Sequence, residues 1–216
     1  MRDPTRNVPT HHMNRHRGSS LANLLEFGLT HGGLEVMIEL LNITFLVECH
    51  QQGLLSNGDI FAIQWSRYEI QHKLLSLPTG EVLLGASGVN GFYECCQLSA
   101  IMFTTAVLFP MPRWTGVPHK LIQGIKQCVD QTHLALLISD GARPFFIWAL
   151  MLAGIAATGM PERRWAEETL TDLLAMEGVS RWSELRRVVE SFLWMDSACD
   201  GGAMELWDRI AAGLRR

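Results

Sequence analysis

The sequence has no C-x-x-C pair, although it contains five cysteines, Cys49, Cys95, Cys96, Cys128 and Cys199. Zinc fingers, zinc ribbons and dithiol redox motifs depend on that close spacing and are excluded. The odd count and wide spacing read as reduced thiols of an intracellular protein, with Cys95 and Cys96 expected on different sides of a helix. A basic balance is missing as well: 18 Lys+Arg against 22 Asp+Glu give a formal net charge of −4. A broad phosphate-binding face wants the opposite sign. The N-terminus lacks the apolar run of a signal peptide, so secretion is not expected. The longest apolar stretch, "PFFIWALMLAGIAATGM" over residues 144–160, has 17 residues, short of the about 20 that span a bilayer. It starts beside Asp140 and Arg143 and ends in small residues without an aromatic or basic belt, so a helix buried inside a bundle is expected.

What is present is apolar patterning at helical spacing. With 216 residues, 48% of them hydrophobic, the chain can bury roughly 70% of its unfolded surface without staples. Residues 1–18 are polar, carry Pro4 and Pro9 and have no period; they read as a flexible tail. Residues 19–216 read as one all-α domain, a compact array of about eight or nine helices with no sheet and no internal repeat. Ser19 or Ser20 caps a short first helix, Gly53 closes a long second one, and a third starts at Asp59 and stops before Pro78. A glycine-rich loop over residues 79–91 has no P-loop pattern and no basic residue, which argues against a phosphate cradle. An apolar helix then ends before Pro110, a loop "PMPRWTG" follows, and an amphipathic helix carries Leu121, Ile125, Cys128, Val129 and Thr132 on one side. Pro144 opens the most apolar helix and Gly159 stops it. The next helix has a stripe of Trp165, Ala166, Thr169, Leu170, Leu173 and Leu174 and is closed by Gly178. Ser180 caps the one after it, with Leu185, Val188, Val189 and Phe192 inward and Glu184, Arg186, Arg187 and Glu190 in water. The last helix carries Leu206, Trp207, Ile210 and Leu214, with Arg215 and Arg216 at its negative end.

The stretch "SFLWMDSACDGGAMELWDRI" over residues 191–210 offers the nearest thing to a site. Asp196 and Asp200 share a helical face and could hold a divalent cation, but no denser aspartate cluster and no facing acidic motif accompany them. The alternative is a joint, with Asp200 as the N-cap of the last helix and Gly201 and Gly202 in its first turn. His12 and His16 have zinc-helix spacing without the acidic partner, and His31, His50, His72, His119 and His133 are scattered. No metal and no cofactor are expected. "GAS" over residues 85–87 is not a nucleophile elbow, and Cys95 reads as a small buried hydrophobe. Trp148, Trp165, Trp182, Trp194 and Trp207 fall on or beside apolar stripes; core packing and a ring around a hydrophobic ligand are the two readings of them.

Three stretches, in order, carry a resemblance. "FYECCQLSAIMFTTAVLFPMP", then "PFFIWALMLAGIAATGMPERRWAEETL" with its Arg164–Trp165 pair, then "RWSELRRVVESFLWMDSACDGGAMELWDRI" together resemble the fungal-specific transcription factor domain over about residues 92–210. The family positions matched are Trp148, Arg164, Trp165, Trp182, Phe192, Trp194, Asp196, Asp200 and Trp207, all expected to be structural. The family's six-cysteine, two-zinc DNA-binding cluster has no counterpart here, since the first cysteine is Cys49. The resemblance therefore implies a regulatory domain that binds a protein partner or a small lipophilic effector, in the nucleus or otherwise the cytoplasm. It implies no direct nucleic-acid contact and no membrane, and homodimerisation is left open. It supplies no catalytic residue. The second reading is a lipophilic-metabolite binder, or a non-metal cyclase or isomerase of a fungal secondary-metabolite pathway.

Overall fold

The apolar run around Trp148 has no side to turn toward water, so it is stable only where other helices surround it. The computed structural model describes residues 16–78, 91–131 and 139–214. Among them are eight α-helices and no strand: α1 (His31–Gln51), α2 (Asn57–Ser76), α3 (Gly91–Phe103), α4 (Val117–Gln131), α5 (Arg143–Ala156), α6 (Glu162–Glu177), α7 (Trp182–Glu190) and α8 (Asp196–Leu214). Short 3₁₀ turns lie at Ala22–Phe27 and Arg113–Thr115, and Thr104–Leu108 continues α3 as a π-helical turn. The all-α expectation holds. None of the described helices is long and apolar enough to cross a membrane.

Helix α5 is the hub. It packs against α3, α4, α6, α7 and α8, and every residue from Phe145 to Gly154 is buried. Its aromatic residues form one contiguous group with their neighbours. Phe92 lies 4.9 Å from Phe145 between ring centroids, Phe145 lies 5.4 Å from Phe146, and Trp148 stacks on Phe192 at 5.6 Å. Such ring pairs add about 0.5–1.5 kcal/mol each beyond the area they bury. The charge at the start of the run is neutralised. Arg143 donates to Asp140 at 2.9 Å and to Glu177 at 2.8 Å. Outside this group, α3 pairs with α4, α6 with α8, and α1 with α2.

Helix ends follow the sequence in several places. Gly178 takes φ 69° and its N–H bonds the carbonyls of Leu174 and Ala175, as a left-handed C-cap does. Gly53 and Gly159 also have positive φ just past their helices. Elsewhere the structure corrects the reading. The first element is a 3₁₀ turn with Leu21, not a serine, at its N-cap. Helix α2 starts at Asn57, and Asp59 accepts from the Ser56 N–H and hydroxyl. Ser180 does not accept as a cap; its N–H and that of Arg181 both donate to Glu184. Glu190 is buried, not wet, and Arg186 donates to it at 2.7 Å. Cys95 and Cys96 are both fully buried, because α3 is covered on more than one side. Of the Arg-Trp pair, Arg164 is exposed and pairs with Glu168 one turn on. It is the adjacent Arg163 that is buried, donating to Thr158, the Gly154 carbonyl, Glu167 and Glu205.

The largest difference concerns Gly201 and Gly202. Helix α8 begins at Asp196, so both glycines lie inside it. A Cβ on Gly202 would sit 2.8 Å from Ile155 Cγ2, whereas one on Gly201 would meet nothing within 4 Å. Gly202 is there because α8 and α5 approach closely. Two substitutions should therefore diverge. Gly201→Ala should raise stability by about 0.5–1 kcal/mol through helix propensity alone. Gly202→Ala should lower it by about 1–3 kcal/mol through overpacking. Urea melts of the pair test this, and equal shifts would overturn the assignment of the close approach.

Candidate functional site

The joint between α7 and α8 is a buried plug. Ser191–Met195 leaves helical geometry, and Phe192, Leu193, Trp194 and Met195 all lie in the core. The turn's polar groups are satisfied from both sides. Trp148 Nε1 donates to the Leu193 carbonyl at 2.7 Å, and Trp194 Nε1 donates to Asp200 at 3.0 Å. Asp200 is therefore not the N-cap of the last helix. It sits one turn inside α8 and accepts from a buried indole, because a fully buried tryptophan needs a partner for its N–H. Trp207 packs from α8 against Trp182, with centroids 6.5 Å apart. Trp165 is half-buried under Lys126, whose ammonium lies 4.8 Å from the ring centroid.

Around the plug the chain gathers charge. Arg186 reaches Glu190 at 2.7 Å, Asp196 at 3.0 Å and Asp200 at 3.3 Å. Arg17 pairs with Glu48 of α1 and with Asp196 at 2.9 Å. Burial disfavours the Arg17 charge, but the Glu48 hydrogen bond and the charges of Glu48, Asp196 and Glu190 together outweigh it, and the guanidinium pKa rises. Arg17, Glu48, Arg186, Glu190 and Asp196 line a cleft of about 430 Å³ with Gln51, Gln52 and Ser197. Its two arginines are held by carboxylates, so the group is a clasp between the N-terminal segment, α1 and the last two helices. Residues 16–18, assigned to the tail by sequence, belong to this clasp. His16 pairs its Nε2 with the Arg187 carbonyl at 3.0 Å, which makes that nitrogen a donor and not a ligand. The Gly18 N–H bonds the Glu190 carbonyl at 3.2 Å. His12, His133, the loop over residues 79–90, Thr132 and the terminal arginines lie outside the described residues.

The described residues compose no metal constellation. No group of three His, Cys, Asp or Glu side chains there is placed to hold a metal ion. All five cysteines are buried and none is in a disulfide. Burial pushes Cys128 and Cys199 up to about 12, and Cys95 and Cys96 well above the usual thiol range. A thiolate nucleophile is the opposite case. Two further clefts, of about 360 Å³ beside His16 and Glu184 and about 200 Å³ beside Thr105 and Leu152, are likewise without tryptophan.

The tryptophans divide by position. Trp148, Trp194 and Trp207 are buried, Trp165 and Trp182 are half-buried, and all five pack on the core. The other two, Trp65 and Trp114, are exposed at 59% and 87%. Trp65 is not alone. Helix α2 also exposes Phe61 at 76%, Tyr68 at 66% and Leu75 at 71%. These positions fall four, three and seven residues apart and so share one side of the helix. The opposite side of α2, with Ile63, Ile70 and Leu74, is buried on the core. Lys73 meets Glu39 at 2.6 Å, Gln97 donates to the Leu74 carbonyl, and Arg67 lies over the Phe109 ring at 4.2 Å. The helix is thus fixed from behind while its aromatic side faces water. Sequence reading passed over this face because α2 is apolar on two opposite sides, which cancels the one-sided signature of an amphipathic helix. The signal was the aromatic spacing itself. A contiguous exposed stripe of this kind marks a contact surface more than scattered apolar residues do.

No protein-family model, curated protein or solved structure matches the chain.

Two measurements test the joint and the thiols. In a double-mutant cycle, Asp200→Ala should cost about 1–3 kcal/mol in the parent, the penalty for orphaning a buried donor. In a Trp194→Phe background it should cost much less, leaving a coupling of about 1–2 kcal/mol. A cap role would instead leave the Asp200→Ala cost unchanged there. Thiol titration of the native protein should find none of the five cysteines fast-reacting, and all of them after denaturation. Because folding raises these thiol pKa values, the stability they contribute is complete below about pH 8.5. It is lost as pH rises from there toward about 12. Stability that stays flat above pH 9 would contradict the burial.

Proposed function

We propose that this chain is a regulatory interaction domain, similar to the middle region of fungal transcription regulators, acting in the nucleus by docking a protein through the exposed face of α2. The observation that carries the reading is the rigidly held stripe of Phe61, Trp65, Tyr68 and Leu75. Aromatic residues fixed on a helix are the residue types that dominate contact energies between proteins. The ordered motifs over residues 92–210 support the family side of the reading, and the net charge of −4 fits a role without direct DNA contact. The lipophilic-metabolite reading lacks comparable support. It called for a tryptophan-lined cavity of the usual several hundred Å³. The five inward tryptophans instead pack against other side chains.

The test is a reporter assay with the chain tethered to a heterologous DNA-binding module in fungal cells. Transcription should change on tethering, in either direction. The change should be lost in Trp65→Ser with Tyr68→Ser, while the thermal melt of the variant stays close to the parent. A reporter indifferent to the parent chain would overturn the proposal. Titration of the untethered chain against genomic DNA fragments should give only weak, salt-sensitive association, and a tight sequence-dependent complex would contradict the absence of direct DNA contact.

A further inference from the structure

The stripe on α2 has a register as well as a composition. Phe61, Trp65, Tyr68, His72 and Leu75 are all exposed and follow one another at steps of four, three, four and three residues. That is the a/d spacing of a two-helix seam, and it runs about 21 Å along the helix. We infer that the occupant of this face is a second copy of the same chain, with the two α2 helices packed parallel and in register about a two-fold axis. The inference rests on the interaction reading above and names its partner.

Three features favour a second copy. The first is layering. In a parallel, in-register pair each stripe residue meets its own counterpart, and all five side chains are used. An antiparallel pair that keeps a against d leaves Phe61 or Leu75 beyond the end of the seam. The second is the flank. Next to the stripe lie Gln64 and Gln71 on one side and Glu69 and Ser76 on the other. The parallel register sets Gln64 of one copy beside Glu69 of the other, and Gln71 beside Ser76, so no like charges face each other. The nearby cations are engaged behind, Lys73 with Glu39 and Arg67 over Phe109. The third is area. The exposed parts of the four large apolar side chains amount to on the order of 600 Å². Two copies would bury about 1,200 Å², the lower end of a specific interface. That area fits a dimer that forms and separates within a working concentration range.

The experiment uses single cysteines on the full chain, against a background of five buried native thiols. His72→Cys and Leu75→Cys should each oxidise to a covalent dimer, while Asp172→Cys, at an exposed site on α6, should not. Sedimentation of the parent at about 50 µM, high enough to populate a dimer of micromolar Kd, should show twice the chain mass. Trp65→Ser should weaken that association by about 30-fold or more, as loss of a central anchor does. A parent that stays monomeric, or cysteine variants that link no faster than Asp172→Cys, would overturn the inference. A photo-crosslinker placed at position 72, which leaves the aromatic anchors in place, separates the two readings in cells. Adducts at twice the chain mass support the second copy. Adducts with a different protein refute the second copy and leave the interaction reading standing. Absence of any adduct refutes both.

Discussion

A helix with no wet side is the constraint on which the rest of this fold depends. Helix α5 can exist in water only if five other helices cover it, and each of those helices is shaped by that task. Gly154 lets α8 close on it, since a Cβ there would meet Leu206 at 2.6 Å. Trp148 reaches from α5 into the α7–α8 joint and satisfies the Leu193 carbonyl. Arg163 returns from α6 to the Gly154 carbonyl near the end of α5. Trp148 and Arg163 each pair a buried polar group, and an unpaired one would cost about 1–3 kcal/mol. The core is apolar in bulk and polar at a few defined points, and those points hold the elements in register.

Much of this was legible in the sequence. The run over residues 144–160 was too short for a bilayer and too apolar for a surface, which left only the centre of a bundle. Phe192, Leu193 and Trp194 sit at the end of a helical stripe and plug the core as expected. The glycines at 53, 159 and 178 punctuate the helices they follow. What failed was local grammar where a distant contact had a stronger demand. Asp-Gly-Gly reads as a cap and a break, yet Trp194 needed an acceptor and Ile155 needed space, and both demands are met only with the helix running through. Arg163 and Arg164 illustrate a second limit. A one-residue shift on a helix turns a side chain by about 100°, so a motif names the pair without saying which member is buried. Glu190 shows a third, because a carboxylate next to a basic helix face can be buried if Arg186 travels with it.

The surface was read least well, for a reason that bears on function. Periodicity detects contrast between two sides of a helix, and α2 has little. Ile63, Ile70 and Leu74 face the core, while Phe61, Trp65, Tyr68 and Leu75 face water. A folded chain gains nothing from holding that second set out in solvent, because each could bury on the order of 150–250 Å² in a contact. Their exposure, on a helix tied down by Lys73, Gln97 and Arg67, leaves a contiguous apolar stripe that the described core does not use.

The resembling motifs and the exposed stripe lie on different parts of the chain. The motifs that resemble fungal regulators run over about residues 92–210, and their tryptophans are spent on the core: Trp148 and Trp194 are fully buried, and Trp165, Trp182 and Trp207 pack against it. A resemblance carried by core positions speaks to how a domain is assembled. It says little about what the domain touches, since those tryptophans are buried or packed on the core. The stripe proposed as a contact surface is on α2, ahead of the matched region, and its exposed side chains are not part of the core around α5 and the joint. Domains sharing this interior could then bind unrelated partners. The specificity of this one would be set by four exposed side chains and the spacing between them.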